Sequence, residues 1–152
     1  MNAKNDLKNQ VFMAARDQGI SSVLFRNATS RKLGLNATDA ECLSFLMMKG
    51  VATPTELARY TGLTTGSTTA MLDRLEKANF VIREPNPNDR RSSLIKADKH
   101  YTKVISPLVA DVQKAQRKLL ARYSDEELGT IIDFLTRFTK SVTESTKKIE
   151  RP

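Results

Sequence analysis

The sequence predicts a mainly α-helical protein with one small β-hairpin, which places it in the α+β class. Apolar residues recur at intervals of three and four over most of the 152 residues, and this spacing is typical of amphipathic helices. Between residues 80 and 97 the spacing changes to two alternating segments around an Asn/Pro/Asp turn, which is typical of a hairpin. We therefore expect several long helices and a single pair of strands.

A long helix is predicted over residues 4–32. Its apolar residues keep the helical spacing on both sides of Gly19, and Gly34 follows its end. Either Gly19 is tolerated inside one helix at a cost of about 1 kcal/mol, or it separates two helices, and we favour one helix. The apolar positions are Leu7, Val11, Ala14, Ala15, Ile20, Val23, Leu24 and Ala28.

A second helix is predicted to open at the capping box Thr38-Asp39-Ala40-Glu41 and to end near Gly50. Leu43, Leu46 and Met47 are expected to point inward. Cys42 lies on this helix and has two interpretations, a peroxide-sensing thiol or a small buried hydrophobic residue. We favour burial, because no basic cluster adjacent in sequence would lower the pKa of the thiol.

The middle of the chain is predicted to form a helix, a turn and a second helix. The first helix opens at Thr53-Pro54-Thr55-Glu56, where a threonine cap, a proline and a glutamate form a capping box. Gly62 provides a turn residue that adopts the left-handed conformation without strain. The second helix starts at Thr64 or Thr65 and ends at Asn79. Asparagine is the next best residue after glycine for a left-handed C-terminal cap.

The spacing of apolar residues fits two helices that cross closely. Leu57 and Met71 fall where the helices must touch, and the small Ala58 lets them approach. Thr61 and Thr68 stand where aliphatic residues would be expected. The outward side of the second helix carries short polar groups that could reach phosphates and base edges in a major groove. The candidate DNA-binding residues here are Thr64, Thr65, Ser67, Thr69 and Arg74, with Thr53 and Thr55 at the start of the first helix.

The hairpin, which we call the wing, covers residues 80–97, and its loop is Asn86-Pro87-Asn88-Asp89-Arg90-Arg91. Arg90 and Arg91 at its tip are candidates for the minor groove, where the negative potential favours a guanidinium group. Asp89 is expected to support the loop by capping its turn or by pairing with an arginine. Asp73 lies on the DNA-facing helix, where its negative charge would repel DNA phosphates, so we expect it to pair with an arginine of the wing.

Two more helices complete the chain. Residues 98–122 carry an apolar stripe of helical period, and Pro107 inside this helix predicts a kink. Ser124 and Glu127 form another capping box, which opens a last helix that frays over residues 147–152. Since neither helix has a sheet to cover its stripe, a second copy of the chain is the expected partner.

The run Leu75-Glu76-Lys77-Ala78-Asn79-Phe80-Val81, followed by the Asp-Arg-Arg loop of the wing, resembles the winged helix of the MarR family of bacterial transcription regulators. The resemblance extends in layout from Leu33 to the C-terminus. The chain departs from the family at Asn79, where glycine is usual. It departs again at Ala97-Asp98-Lys99-His100, where the family usually has Leu-Thr and a nearby Gly.

This resemblance implies a homodimeric repressor that holds two winged helices one DNA turn apart on a palindromic operator. Residues 1–37 and 98–152 would then form the helical dimerisation region, and residues 38–97 the winged helix-turn-helix lobe that binds double-stranded DNA. The resemblance also implies a small aromatic or acidic effector. Its pocket would be lined by the segment from Val23 to Arg31, the helix at Thr38 and the start of the helix at Asp98.

Composition agrees with a nucleic-acid partner but does not locate it. The net charge is +8, yet residues 53–97 hold seven basic and five acidic residues and contribute only +2 of it. One histidine, His100, and one cysteine cannot by themselves form a zinc site, and no nucleophile elbow, phosphate loop or dinucleotide motif is present. We therefore expect no cofactor and no enzyme activity.

The chain shows no apolar run long enough for a membrane span and no signal-peptide core at its N-terminus. With a single cysteine it cannot form an internal disulfide, so a cytoplasmic location is expected. The alternative function is a winged-helix module that binds a protein partner instead of DNA. The intact polar and arginine positions argue against that alternative.

Overall fold

The computed structural model describes residues 3–89 and 91–149, with side chains from Asp6 onward. Within these ranges the helices are α1 (Ala3–Lys32), α2 (Ala37–Lys49), α3 (Pro54–Thr61), α4 (Thr65–Lys77), α5 (Lys99–Leu120) and α6 (Asp125–Ile149). The strands are β1 (Val51–Ala52), β2 (Val81–Pro85) and β3 (Ser93–Ala97). The predicted class, mainly helical with a small sheet, is therefore confirmed.

The chain forms two compact units, Met1–Leu108 and Val109–Pro152. The first unit holds the helices from α1 to α4, the sheet and the beginning of α5. The second holds the rest of α5 and α6. The predicted division into a dimerisation region and a DNA-binding lobe concerns function, and it stays a prediction.

One hydrophobic core in the first unit joins α2, α3, α4 and the sheet. Each aliphatic side chain that this core removes from water stabilises the unit by about 1.5–3 kcal/mol. Leu57 and Met71 are fully buried, as their spacing predicted. The largest fully buried side chains are Leu43, Leu46, Leu57, Met71, Leu72, Leu75, Val81 and Ile95.

Thr61 and Thr68, which stand at positions that favour aliphatic residues, satisfy their hydroxyl groups within their own helices. Thr68 is 2% exposed, and its Oγ1 donates to the carbonyl oxygen of Thr64 at 2.9 Å. The Oγ1 of Thr61 donates to the carbonyl oxygen of Leu57 at 2.8 Å. Because no buried hydroxyl is left unpaired, a threonine can fill an aliphatic position here.

The sheet has three antiparallel strands in the order β1-β3-β2. The wing supplies β2 and β3, in which Arg83 lies opposite Ile95. The sequence did not predict β1, because two residues are too short to show an alternating pattern. Val51 and Ala52 follow the left-handed Gly50 and pair with β3, so the wing is attached to the end of α2.

Two predictions for α2 were wrong. The helix begins before the proposed capping box at Thr38, because Asn36 is its N-cap and accepts the N–H of Asp39 through Oδ1 at 2.8 Å. Met47 was predicted to point inward but is 49% exposed, whereas Leu43 and Leu46 are buried. Met47 lies about 100° around the helix from Leu46, past the edge of the apolar stripe.

The end of α4 confirms the role predicted for Asn79. This residue has φ +56°, the left-handed conformation that glycine adopts most easily. The N–H of Asn79 donates to the carbonyl oxygen of Glu76 at 2.9 Å, and the N–H of Phe80 to that of Leu75 at 2.8 Å. These two bonds satisfy carbonyl groups at the helix end and turn the chain into β2.

The long helices also follow the predictions, except that α6 stays helical through Ile149, and residues 150–152 of the predicted fray lie outside the described residues. The first, α1, runs unbroken through Gly19, and α5 contains Pro107, where the expected kink stays a prediction. Before α6, Ser124 Oγ accepts the N–H of Glu127 at 3.3 Å, and the Ser124 N–H donates to Glu127 Oε2 at 2.8 Å. The hydrogen bonds that the Ser124 N–H and the Ser124 hydroxyl donate to the Glu127 carboxylate lower the pKa of Glu127. Across the described residues, every helix is too short or too polar to span a lipid bilayer.

Candidate nucleic-acid interface

The polar side of α4 faces solvent, as a DNA-reading helix requires. Its predicted contacts Thr64, Thr65, Ser67 and Thr69 are all exposed, while Thr68 on the opposite side is buried. Gly66 between them adds no side chain, so the start of the helix presents small groups only. An α-helix with this profile can enter a major groove and reach base edges.

Some of these hydroxyl groups are also used within the helix. Thr64 is the N-cap, and its Oγ1 accepts the Ser67 N–H at 3.3 Å and donates to Ser67 Oγ at 3.0 Å. Thr69 Oγ1 donates to the carbonyl oxygen of Thr65 at 3.1 Å. A serine or threonine hydroxyl that donates one bond keeps acceptor capacity for a second partner. Thr65 makes no side-chain hydrogen bond within the described part of the chain, so it is the least constrained of the four.

The start of α3 is held by the predicted capping box. Thr53 Oγ1 accepts the Glu56 N–H at 3.3 Å, and the Thr53 N–H donates to Glu56 Oε2 at 2.8 Å. Lys49 also pairs with Glu56. The Lys49 bond, and then the bond from the Thr53 backbone, lower the pKa of Glu56 to about 2. Thr53 therefore has a structural role whatever it contacts, whereas Thr55 is exposed.

The wing tip is a turn built on its own side chains. Asn86 Oδ1 accepts the Asn88 N–H, and Asp89 Oδ1 accepts the Arg91 N–H, each at 3.0 Å. Asp89 thus caps the turn as predicted. Arg91 is exposed at the tip, and Arg90 lies outside the described residues.

An arginine of the wing connects β2 to α4. Arg83 Nη2 lies 2.5 Å from Asp73 Oδ1, and Arg83 Nε lies 3.4 Å from Glu76 Oε2. The expectation that Asp73 pairs with a wing arginine is confirmed, and the arginine is in the strand and not at the tip. One guanidinium pairs with both carboxylates of this part of α4 and offsets half of their charge, which reduces their repulsion of a phosphate backbone.

Arg74, the last candidate on α4, is paired with α2. Its Nη2 lies 2.8 Å from Oδ1 of Asp39, a carboxylate buried in the first turn of that helix. The Arg74 side chain is nevertheless 54% exposed. It can therefore still contact a ligand on the outer side of α4.

Asp39 and Arg83 were missing from the candidate residues. Alternation along β2 could have indicated Arg83, since it shares a face with the buried Val81. No sequence signal indicates Asp39, because its partner is 35 residues away and the two meet only when α2 and α4 pack.

The described residues do not support metal or thiol chemistry. They contain no cluster of histidine, cysteine, aspartate or glutamate that could hold a metal ion. Cys42 is fully buried, and burial, with a smaller contribution from the charge of Asp39, raises the pKa of its thiol to about 12. A buried, protonated thiol reacts poorly with peroxide, which supports the interpretation of Cys42 as a core residue.

The chain is similar to known proteins. The model of the MarR family matches residues 35–93, from the residue before the α2 cap to the first residue of β3. The uncharacterized HTH-type transcriptional regulator YcgE of Bacillus subtilis is 35% identical over 150 residues. That alignment covers 99% of this chain and 97% of YcgE.

Two crystal structures show the same fold at lower identity. A mutant MarR from E. coli complexed with operator DNA is 24% identical, with a TM-score of 0.50, and the match covers 86% of this chain and 96% of MarR. NadR in complex with 4-hydroxyphenylacetate is 20% identical, with a TM-score of 0.59, over 87% of this chain and 92% of NadR.

Proposed function

This chain belongs to the MarR family of transcription regulators, which are not enzymes, and from that premise we propose that it is a homodimeric repressor of a palindromic operator. The observation that carries the proposal is the exposed threonine and serine face of α4, connected through Asp73 and Arg83 to the wing. Helix and wing would contact adjacent grooves of one duplex. A regulator with this partner would act in the cytoplasm.

We assign the DNA contacts to the predicted residues. Those on α4 would enter the major groove, and Arg91, with Arg90 beside it in sequence, would contact the minor groove. Thr53 and Thr55, at the start of α3, would contact the backbone next to the groove. Asp73 and Asp89 would act indirectly, by holding the wing and its loop.

Exposed apolar side chains on two helices support the homodimer. Along α1, Leu7 and Leu24 are 63% and 62% exposed, and along α6, Ile132 and Val142 are 64% and 53% exposed. A monomer would leave the apolar side chains of each helix in water, whereas a second copy could cover them. A two-fold dimer would place half-sites about 34–36 Å apart. Light scattering on the purified protein tests this directly, and a monomeric mass at micromolar concentration would contradict it.

A cavity between α1 and α2 supports the effector part of the proposal. Its volume is about 210 Å³, and its lining is Val23, Arg26, Asn27, Ser30, Ala37, Ala40 and Glu41. Arg26 gives it one cationic group that an acidic ligand could pair with. Aromatic acids such as 4-hydroxyphenylacetate are the natural probes, and release of bound DNA by such an acid would identify an effector.

DNA fragments selected from a random pool by the purified protein test the central proposal. We expect one palindromic sequence to be enriched and its binding to weaken steeply with salt, because phosphate contacts release counterions. Failure to shift any duplex at low salt would favour the alternative, a winged helix that binds a protein.

Arg91→Ala tests the wing separately. Loss of a groove arginine is expected to weaken binding of the selected duplex by roughly 1–3 kcal/mol. The matched control is Arg137→Ala, which removes an exposed arginine on α6 together with its pair to Asp133. Equal affinities for wild type and Arg91→Ala in a gel-shift titration would remove the wing tip from the site.

A further inference from the structure

The structure contains a buried carboxylate that holds an arginine of the proposed DNA-reading helix. Asp39 is 6% exposed and lies in the first turn of α2. Its Oδ1 accepts from Arg74 Nη2 at 2.8 Å, and its Oδ2 accepts from Asn36 Nδ2 at 3.0 Å. The Asp39 N–H donates to Asn36 Oδ1 at 2.8 Å, so its backbone is fixed as well.

These three bonds leave the carboxylate little freedom. Both oxygens are occupied, the backbone is capped, and packing surrounds the side chain. A charge-assisted bond from a fixed carboxylate restricts where the guanidinium can point. The long bond of 3.4 Å from Arg74 Nη1 to the carbonyl oxygen of Ala70 restricts it further.

Arg74 keeps donors for another partner. Two of the five N–H groups of its guanidinium are used, so three remain. The side chain borders an open cavity of about 460 Å³ between α2 and α4, whose rim also includes Thr38, Ser67 and Ala70. Arg83 differs, because two carboxylates of α4 engage it and it is only 31% exposed.

We infer that Asp39 is a positioning residue that fixes Arg74 in one orientation for sequence-selective contact with DNA. This inference rests on the proposed function. A fixed guanidinium can match the geometry of one acceptor pair, whereas a free one pairs with any phosphate it reaches. Asp39 also offsets the charge of Arg74, which limits attraction to DNA of unrelated sequence.

Asp39→Asn tests the inference with little change in shape, because the asparagine can still accept from Asn36. Arg74→Lys is the second variant, since it keeps a positive charge beside the Asp39 carboxylate and loses the planar fork. Affinity is measured for the duplex that wild type enriches from a random pool and for a scrambled duplex of equal composition. The readout is the ratio of the two affinities.

We expect this ratio to fall about five- to hundredfold in both variants, as when a bidentate contact is lost. Affinity of Asp39→Asn for the scrambled duplex should stay equal or rise. In an Arg74→Ala background, Asp39→Asn should change the ratio no further. These three results together support the positioning role.

Other outcomes overturn it. If both variants keep the wild-type ratio, or if Asp39→Asn weakens both duplexes equally while Arg74→Lys keeps the ratio, Asp39 has only a structural role. If wild type prefers no duplex over the scrambled one, the proposed function fails, and the inference falls with it. If Asp39→Asn changes the ratio by the same factor in the Arg74→Ala background as in wild type, Asp39 does not act through Arg74, and the inference is rejected.

Discussion

Replacing Arg83 with alanine separates two contributions of the wing to DNA binding. The substitution removes the guanidinium that pairs with Asp73 at 2.5 Å and with Glu76 at 3.4 Å. Two effects follow. The carboxylates on the DNA-facing side of α4 lose their counter-charge, and the wing loses its polar connection to that helix.

The electrostatic effect can be estimated. Both carboxylates are present in wild type and variant, so the change is the loss of one positive charge. In water that charge attracts a phosphate about 7 Å away by about 0.6 kcal/mol, and two such phosphates by about 1 kcal/mol, with screening reducing both as salt rises. We therefore expect binding to weaken by about 1 kcal/mol per wing, or roughly fivefold, at low salt. Because the pair is partly exposed, the free energy of unfolding should fall by less than about 1 kcal/mol.

Fluorescence anisotropy with a labelled duplex measures the affinity, and thermal unfolding measures stability. Adding Glu76→Gln to Arg83→Ala removes one negative charge with the positive one, so it restores the net charge of this group but not the connection to the wing. Recovery of most of the affinity would assign the effect to charge, and a persistent loss would assign it to wing position. The control is Arg137→Ala, which should bind the duplex as tightly as wild type. If Arg83→Ala also binds as tightly as wild type, the reasoning is refuted.

Three further predictions concern stability and reactivity. Asn79→Ala should lower the free energy of unfolding by about 1 kcal/mol in urea titrations, because φ +56° suits asparagine and glycine better than alanine. Asn79→Gly should be neutral or stabilising. Equal losses of stability in the two variants would contradict this prediction. Glu56 has a pKa of about 2 in the folded protein, below its usual 4.5, so its contribution to stability is complete above about pH 5 and is lost as the pH falls toward 2. Thermal unfolding of Glu56→Gln should therefore depend less on pH in that range, and parallel curves would count against the capping box. Cys42 should resist a thiol reagent at pH 8 until the protein is unfolded, because its thiol is buried and has a pKa raised to about 12. Rapid labelling of the folded protein would instead favour the interpretation of Cys42 as a peroxide-sensing thiol.

The sequence by itself determined the helices, the two strands of the wing and several of the element ends. Helical spacing identified α1 and α6, and local side-chain chemistry identified the caps at Thr53 and Ser124, because each cap involves residues only three positions apart. The left-handed turn at Asn79 was predictable for the same reason. At the start of α2 the predicted capping box at Thr38 was wrong, because Asn36 is the N-cap.

Only the tertiary structure decided how these elements support a binding surface. The exposed polar face of α4 follows from its sequence, but the partners of its charged residues do not. Asp73 meets Arg83 across ten residues and Arg74 meets Asp39 across thirty-five, and both contacts exist only because helices and wing pack on one core. The two-residue strand β1 likewise depends on pairing with β3. Local chemistry fixes short-range hydrogen bonds, whereas long-range ion pairs depend on packing that no single stretch of sequence contains.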